Sequence, residues 1–229
     1  MGHAPRAVAA TPLPCTTTPH VVSYGADARQ FRVLRVPAGP GPHPVAVIIH
    51  GGCWLNTFTL DLMDAVSAAL TAAGLATWNI AYQRLGDPGG GYPQTFTDVG
   101  RAIDTVRDLA RQCPLDLGKV MTVGRSAGGH LGVWAAARSQ LPPGHLLRGD
   151  DPLPLFTVVA LGIRQVLIHG TADTLVPLAG SQQYQQQALA AGDRDVQLQT
   201  IPQGDHFTLI TPSSPQWPQV LAWIVALVR

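Results

Sequence analysis

The sequence has 229 residues, enough to bury one sizeable core. Apolar residues make up 46%, which excludes a disordered chain, and the 13% that are charged leave a formal net charge of only +1. No basic run or stripe is present, which argues against nucleic acid or an anionic membrane surface as main partner. Cys15, Cys53 and Cys113 form an odd set without close spacing. They read as reduced thiols, which suits a cytoplasmic protein. The start, "MGHAPRAVAATPLPC", lacks the apolar core of a signal peptide. The longest apolar run, "VLAWIVALV" (220–228), is too short to span a bilayer and reads as a buried terminal helix. Nothing in the pattern fixes an oligomeric state.

Residues 1–20 are rich in Ala, Pro and Thr without periodicity, so a loose tail is expected, followed by a single domain over 21–229. "FRVLRV" (31–36) alternates like a half-exposed strand, and "VAVII" (45–49) is a continuous run suited to a strand buried on both faces. Met63, Val66, Leu70 and Ala73 fall at helical spacing, with Gly74 as the stop. "ATWNIAY" (76–82) reads as a strand, and Phe96, Val99, Ile103, Val106 and Ala110 mark one helix. A strand at 119–123 runs into a helix after Ser126. Further strands are expected at 156–161, 166–169 and 196–201, with helices at 177–191 and 216–228. Strands alternating with helices predict an α/β domain with a mainly parallel sheet.

In such a sheet, sites gather at the carboxyl ends of strands. Three suggestive stretches lie there. "HGGCW" (50–54) follows a strand, and its glycines let backbone N–H groups face a cavity. "GRSAG" (124–128) sets Ser126 between a strand and a helix, the G-x-S-x-G pattern of a nucleophile elbow. "HGTAD" (169–173) puts Asp173 just past a strand end, and "GDHF" (204–207) puts His206 in a later loop. The order Ser, Asp, His suits acyl transfer. A serine hydroxyl needs a base to take its proton, histidine titrates near neutrality, and the acid fixes its tautomer. Negative charge developing on the carbonyl oxygen needs donors, for which the N–H groups of Gly52, Cys53 and Ala127 are the candidates.

"HGGCW", "WNIAYQR", "GGGYPQTFTDV", "GRSAGGHL", "HGTADTLVP" and "GDHFTLI" occur in the order found in the esterase/lipase branch of the α/β-hydrolases. The chain resembles the kynurenine formamidase-like and carboxylesterase-like group with an H-G-G-x-W oxyanion motif, over about residues 20 to 229. The resemblance implies an α/β-hydrolase fold with Ser126 as nucleophile, Asp173 as acid and His206 as base. It implies oxyanion donors at Gly52, Cys53 and Ala127. The substrate it implies is a small ester or amide, with arylformamidase activity as the alternative; the rival of another class is a catalytically inactive scaffold that binds a ligand or partner. Arg125 stands where many relatives have histidine. Trp54, Tyr92 and Arg125 are candidate pocket residues.

Other polar residues read as structural. His50 and His169 are expected to shape loops, Asp205 to act as a loop acid, and Asp98 to sit in the first turn of a helix. The eight histidines show no metal-binding spacing, so neither metal nor cofactor is expected. One stretch does not fit. "FTVVALGIRQVLIHG" leaves only "GIRQ" between two runs, whereas a parallel crossover needs roughly a dozen residues. The family has a roofing excursion there, so the cap is shortened or absent near 161–166. Three readings follow: residues missing between Leu161 and Val166, a true deletion that inactivates the fold, or a run at 157–161 that is not a sheet strand. The intact motifs on both sides favour the first.

Overall fold

The computed structural model describes residues 13–23, 31–155 and 164–228. The chain runs β1 (His20–Ser23), β2 (Phe31–Arg35), β3 (His43–Ile49), α1 (Asp64–Ala72), β4 (Ala76–Ile80), α2 (Gln94–Asp104), α3 (Val106–Ala110), β5 (Leu115–Gly124), α4 (Ala127–Ala137), β6 (Gln165–Gly170), α5 (Leu178–Ala190), β7 (Val196–Ile201) and α6 (Trp217–Ala226). Among the described residues the strands form two pieces, one ordered β1-β2-β4-β3-β5 and one pairing β6 with β7. β1 and β2 join antiparallel at the edge, while β4, β3, β5 and the β6–β7 pair are parallel.

The run 45–49 behaves as its composition predicts. All five residues are fully buried. Successive side chains point to opposite faces. Val45, Val47 and Ile49 pack with Trp78, Ile103 and Leu131, and Ala46 and Ile48 pack with Met63, Leu70 and Ile224. Thus α2, α3 and α4 cover one face of the central sheet, and α1 and α6 cover the other. The terminal run is half of that second layer, a helix as expected, but only its Trp217, Val220 and Ile224 face is buried while Ala222 and Ala226 are exposed.

The structure departs from the sequence reading in four places. The expected helix through 96–110 is broken at Thr105, whose hydroxyl donates to the Arg101 carbonyl at the joint. β5 begins at Leu115, four residues early, because a register shift opposite Pro44 and Val45 absorbs the turn at Gly118. The tail is tied down from residue 13: the Leu13 N–H donates to Gln112 Oε1, the Val36 N–H donates to the Thr16 carbonyl, and β1 starts at His20. Finally, Cys15 and Cys113 form a disulfide across a separation of 98 residues, and Cys53 alone is free. This corrects the reading of three reduced thiols and removes its argument for a reducing compartment. The pairing partner lay too far along the chain for spacing to reveal it.

The expected strand at 156–161 and the first two residues of the join after it lie outside the described residues. Among the described residues no helix is long and apolar enough to cross a membrane.

Candidate active site

The elbow is built by close approach. Gly128 lies where a Cβ would fall 2.0 Å from the Ile49 carbonyl oxygen, and a Cβ on Gly124 would fall 2.2 Å from that of Gly128. Neither position admits a side chain. Between them Ser126 takes φ 52° and ψ −120°, a conformation L-residues avoid and the one a sharp strand-to-helix turn requires. The Arg125 N–H donates to the Ile49 carbonyl and the Gly128 N–H to the Arg125 carbonyl, which fixes the turn against β3.

The loop after β3 packs on this turn. A Cβ on Gly51 would fall 2.6 Å from the Arg125 carbonyl oxygen and 3.0 Å from Ser126 Cβ. Gly52, Cys53 and Trp54 all have positive φ, and the Leu55 N–H closes the loop on the Gly52 carbonyl. Among the described residues, no backbone or side-chain acceptor takes the N–H groups of Gly52, Cys53 or Ala127. Ala127 opens α4, where an unshared N–H is expected of a first-turn residue. His50 anchors the loop. Its ring is fully buried, stacks on Tyr82 at 4.4 Å, and donates from Nδ1 to the Gly51 carbonyl, while the Tyr82 hydroxyl donates to the His50 carbonyl. Burial lowers the His50 pKa from 6.5 to about 4 and pushes the Tyr82 phenol up.

The β6–β7 pair carries the other two candidates. His206 Nδ1 donates to Asp173 Oδ2 at 2.6 Å. A carboxylate only accepts, so Nδ1 carries the proton and Nε2 keeps its lone pair. Asp173 Oδ1 accepts from the N–H groups of Leu175 and Val176. Desolvation pushes this carboxyl up. The Val176 N–H, the His206 ring and the Leu175 N–H outweigh it and leave the carboxyl below its usual value. His169 braces the same loop, donating from Nε2 to the Val176 carbonyl at 3.0 Å and accepting at Nδ1 from the Ser181 hydroxyl at 2.8 Å.

Ser126, Asp173 and His206 line one cavity of about 500 Å³. Its walls are mostly apolar and include Val123, Val133, Leu167, Ile168, Trp217 and Ile224. Among the described residues no hydrogen bond joins Ser126 to His206; such contacts are commonly loose without substrate. Of the three pocket candidates, Arg125 lines the cavity and Trp54 and Tyr92 do not. Trp54 packs edge-on against His130, and Tyr92 is 73% exposed with its ring edge-on to Phe96. Asp98 sits in the second turn of α2 rather than the first, buried and accepting the Gln83 N–H. Asp205 accepts the N–H groups of Phe207 and Thr208 as a loop acid, which lowers its pKa. Among the described residues no cluster of three His, Cys, Asp or Glu could hold a metal ion. The motifs gave no sign of the apolar floor from α6 or of Arg125 reaching the His206 loop.

Residues 34–142 match the family model described as BD-FAE, an α/β-hydrolase-type esterase domain. No curated protein matches the sequence. Among solved structures, the chain is similar to an esterase of the Planctomycetes species Thermogutta terrifontis with propionate bound (TM-score 0.76, 16% identity, 90% of this chain and 92% of that one). It is similar to esterase 2 of Thermogutta terrifontis phosphorylated by paraoxon (0.72, 18%, 90% and 91%). A truncated carbohydrate esterase from gut microbiota is also similar (0.74, 18%, 94% and 96%). The chain has the α/β-hydrolase fold and resembles the esterase branch of that superfamily.

Proposed function

We propose that this chain is a serine hydrolase of small esters, acting through an acyl-enzyme on Ser126. The observation that carries the reading is the Asp173–His206 hydrogen bond of 2.6 Å, facing the cavity into which Ser126 opens. Ser126 Oγ attacks the acyl carbonyl carbon and its proton passes to His206 Nε2. The carbonyl oxygen takes up negative charge beside the unshared N–H groups of Gly52, Cys53 and Ala127. Collapse breaks the bond to the leaving group, which departs with the proton from His206. Water then attacks the acyl-enzyme with His206 again as base and frees Ser126. Asp173 holds the ring in the required tautomer and stabilises the imidazolium.

Residues 21–229 are read as one domain. The similar esterases hold propionate and a phosphoryl group from paraoxon, which favours a short acyl group here. An aryl formamide would use the same residues. Hydrolysis of p-nitrophenyl acetate against an aryl formamide separates the two. Either activity should vanish in Ser126→Ala. A second reading, an inactive scaffold, is favoured by the short join at 161–166 in the sequence and by the absence, among the described residues, of a Ser126–His206 hydrogen bond. Hydrolysis of neither substrate by folded protein would select it.

A further inference from the structure

The candidate nucleophile and the candidate acid–base pair stand on different pieces of the sheet. Ser126 follows β5, whereas Asp173 and His206 follow β6 and β7. Among the described residues no strand pairing joins β5 to β6. Two side chains on β5 and the elbow donate to main-chain carbonyls far along the chain, one just past α6 and one in the loop after β7. Lys119 Nζ donates to the Val228 carbonyl at 2.9 Å, at the end of the sheet away from the elbow. Arg125 donates from Nε and Nη2 to the His206 carbonyl at 3.3 and 3.2 Å.

The Arg125 link is made for position. Its backbone is held on both sides, by the Ile49 carbonyl and the Gly128 N–H, so the stem starts from a fixed point next to Ser126. Its head is gripped twice, by the two N–H bonds to one carbonyl and by the Phe207 ring, whose centroid lies 4.2 Å from Cζ. Arg125 is only 8% exposed. Few water molecules compete for these bonds, and a planar fork loses little rotamer freedom per bond formed. The carbonyl it holds belongs to the base itself, so any slack in the link moves the imidazole directly.

We infer that Arg125 is a positioning residue that ties the His206 loop to the nucleophile elbow and sets the reach of the base to Ser126. The inference rests on the reading of Ser126, Asp173 and His206 as the reacting groups. It requires no contact between Arg125 and substrate.

The test is the rate of covalent labelling by a fluorophosphonate, together with kcat and KM on p-nitrophenyl acetate, in the full chain. Arg125→Met keeps the stem and removes the donors. A misplacement of the base by about 1 Å predicts a fall of about 10- to 100-fold in labelling rate and kcat. KM for this neutral ester should stay within about twofold. Arg125→Lys should recover part of the loss, and low, non-denaturing guanidinium should speed Arg125→Ala where sodium at equal ionic strength does not. Phe207→Leu, at an exposed position, should show a smaller fall in kcat. Lys119→Met cuts the bond from β5 to the end of α6 and should lower the melting temperature with kcat unchanged. Arg125→Met at the parent rate overturns the inference, as does an equal fall of kcat in Lys119→Met, which would mean general loosening. A parent chain that neither labels nor hydrolyses overturns both the inference and the reading of the reacting groups.

Discussion

His50 and the elbow glycines show how single residues set the site. The unfolded chain protonates a histidine near pH 6.5, whereas burial against Tyr82 delays protonation of His50 until about pH 4. Between these values the unfolded state holds more protons, so stability rises with pH across the window. His50 should contribute stability that is complete above pH 6.5 and lost as pH falls toward 4. The shift corresponds to about 3 kcal/mol. Urea unfolding at a series of pH values checks this, and His50→Gln should flatten the slope. Gly128→Ala should cost roughly 1–3 kcal/mol, because the new Cβ meets the Ile49 carbonyl, a backbone atom that cannot turn aside. It should also abolish labelling at Ser126 by opening the elbow. The three candidate residues stand out in the sequence because each belongs to a short motif beyond a strand. The reach of Arg125 was not, since its partner is a main-chain carbonyl 81 residues away that no side-chain pattern marks.

At the scale of elements, the loop after β6 and the disulfide carry the next predictions. Asp173 takes two backbone N–H groups and the His206 ring, so its substitution acts on the base before it acts on the fold. Asp173→Asn should lower kcat by on the order of 10⁴ while leaving the melting temperature close to that of the parent. The disulfide closes a loop of 98 residues, and removing it through Cys15→Ser should cost about 4–5 kcal/mol by chain entropy. Thermal unfolding with and without reductant measures the cost, and activity at low temperature should persist. Central elements such as β3 were readable because their apolar runs are local. The break at Thr105 and the strand β1 were hidden, because they depend on a side-chain bond to the preceding turn and on pairing with β2. The disulfide was hidden for the same reason on a longer scale.

Across the whole molecule, the central sheet is packed from both faces at β3, and the elbow after β5 reaches the His206 loop through Arg125. The core clusters wrap both faces of β3, and the cavity walls, α6 and the Arg125 bond to the His206 carbonyl join the β5 side to the β6–β7 loops. The central claim is that Ser126, on one piece, is activated by His206 on the other. Labelling with a fluorophosphonate followed by peptide mapping tests it most directly. The account predicts a single adduct on Ser126 in the parent chain, abolished by His206→Ala. Folded protein that takes no adduct, or one whose adduct persists without His206, would contradict it.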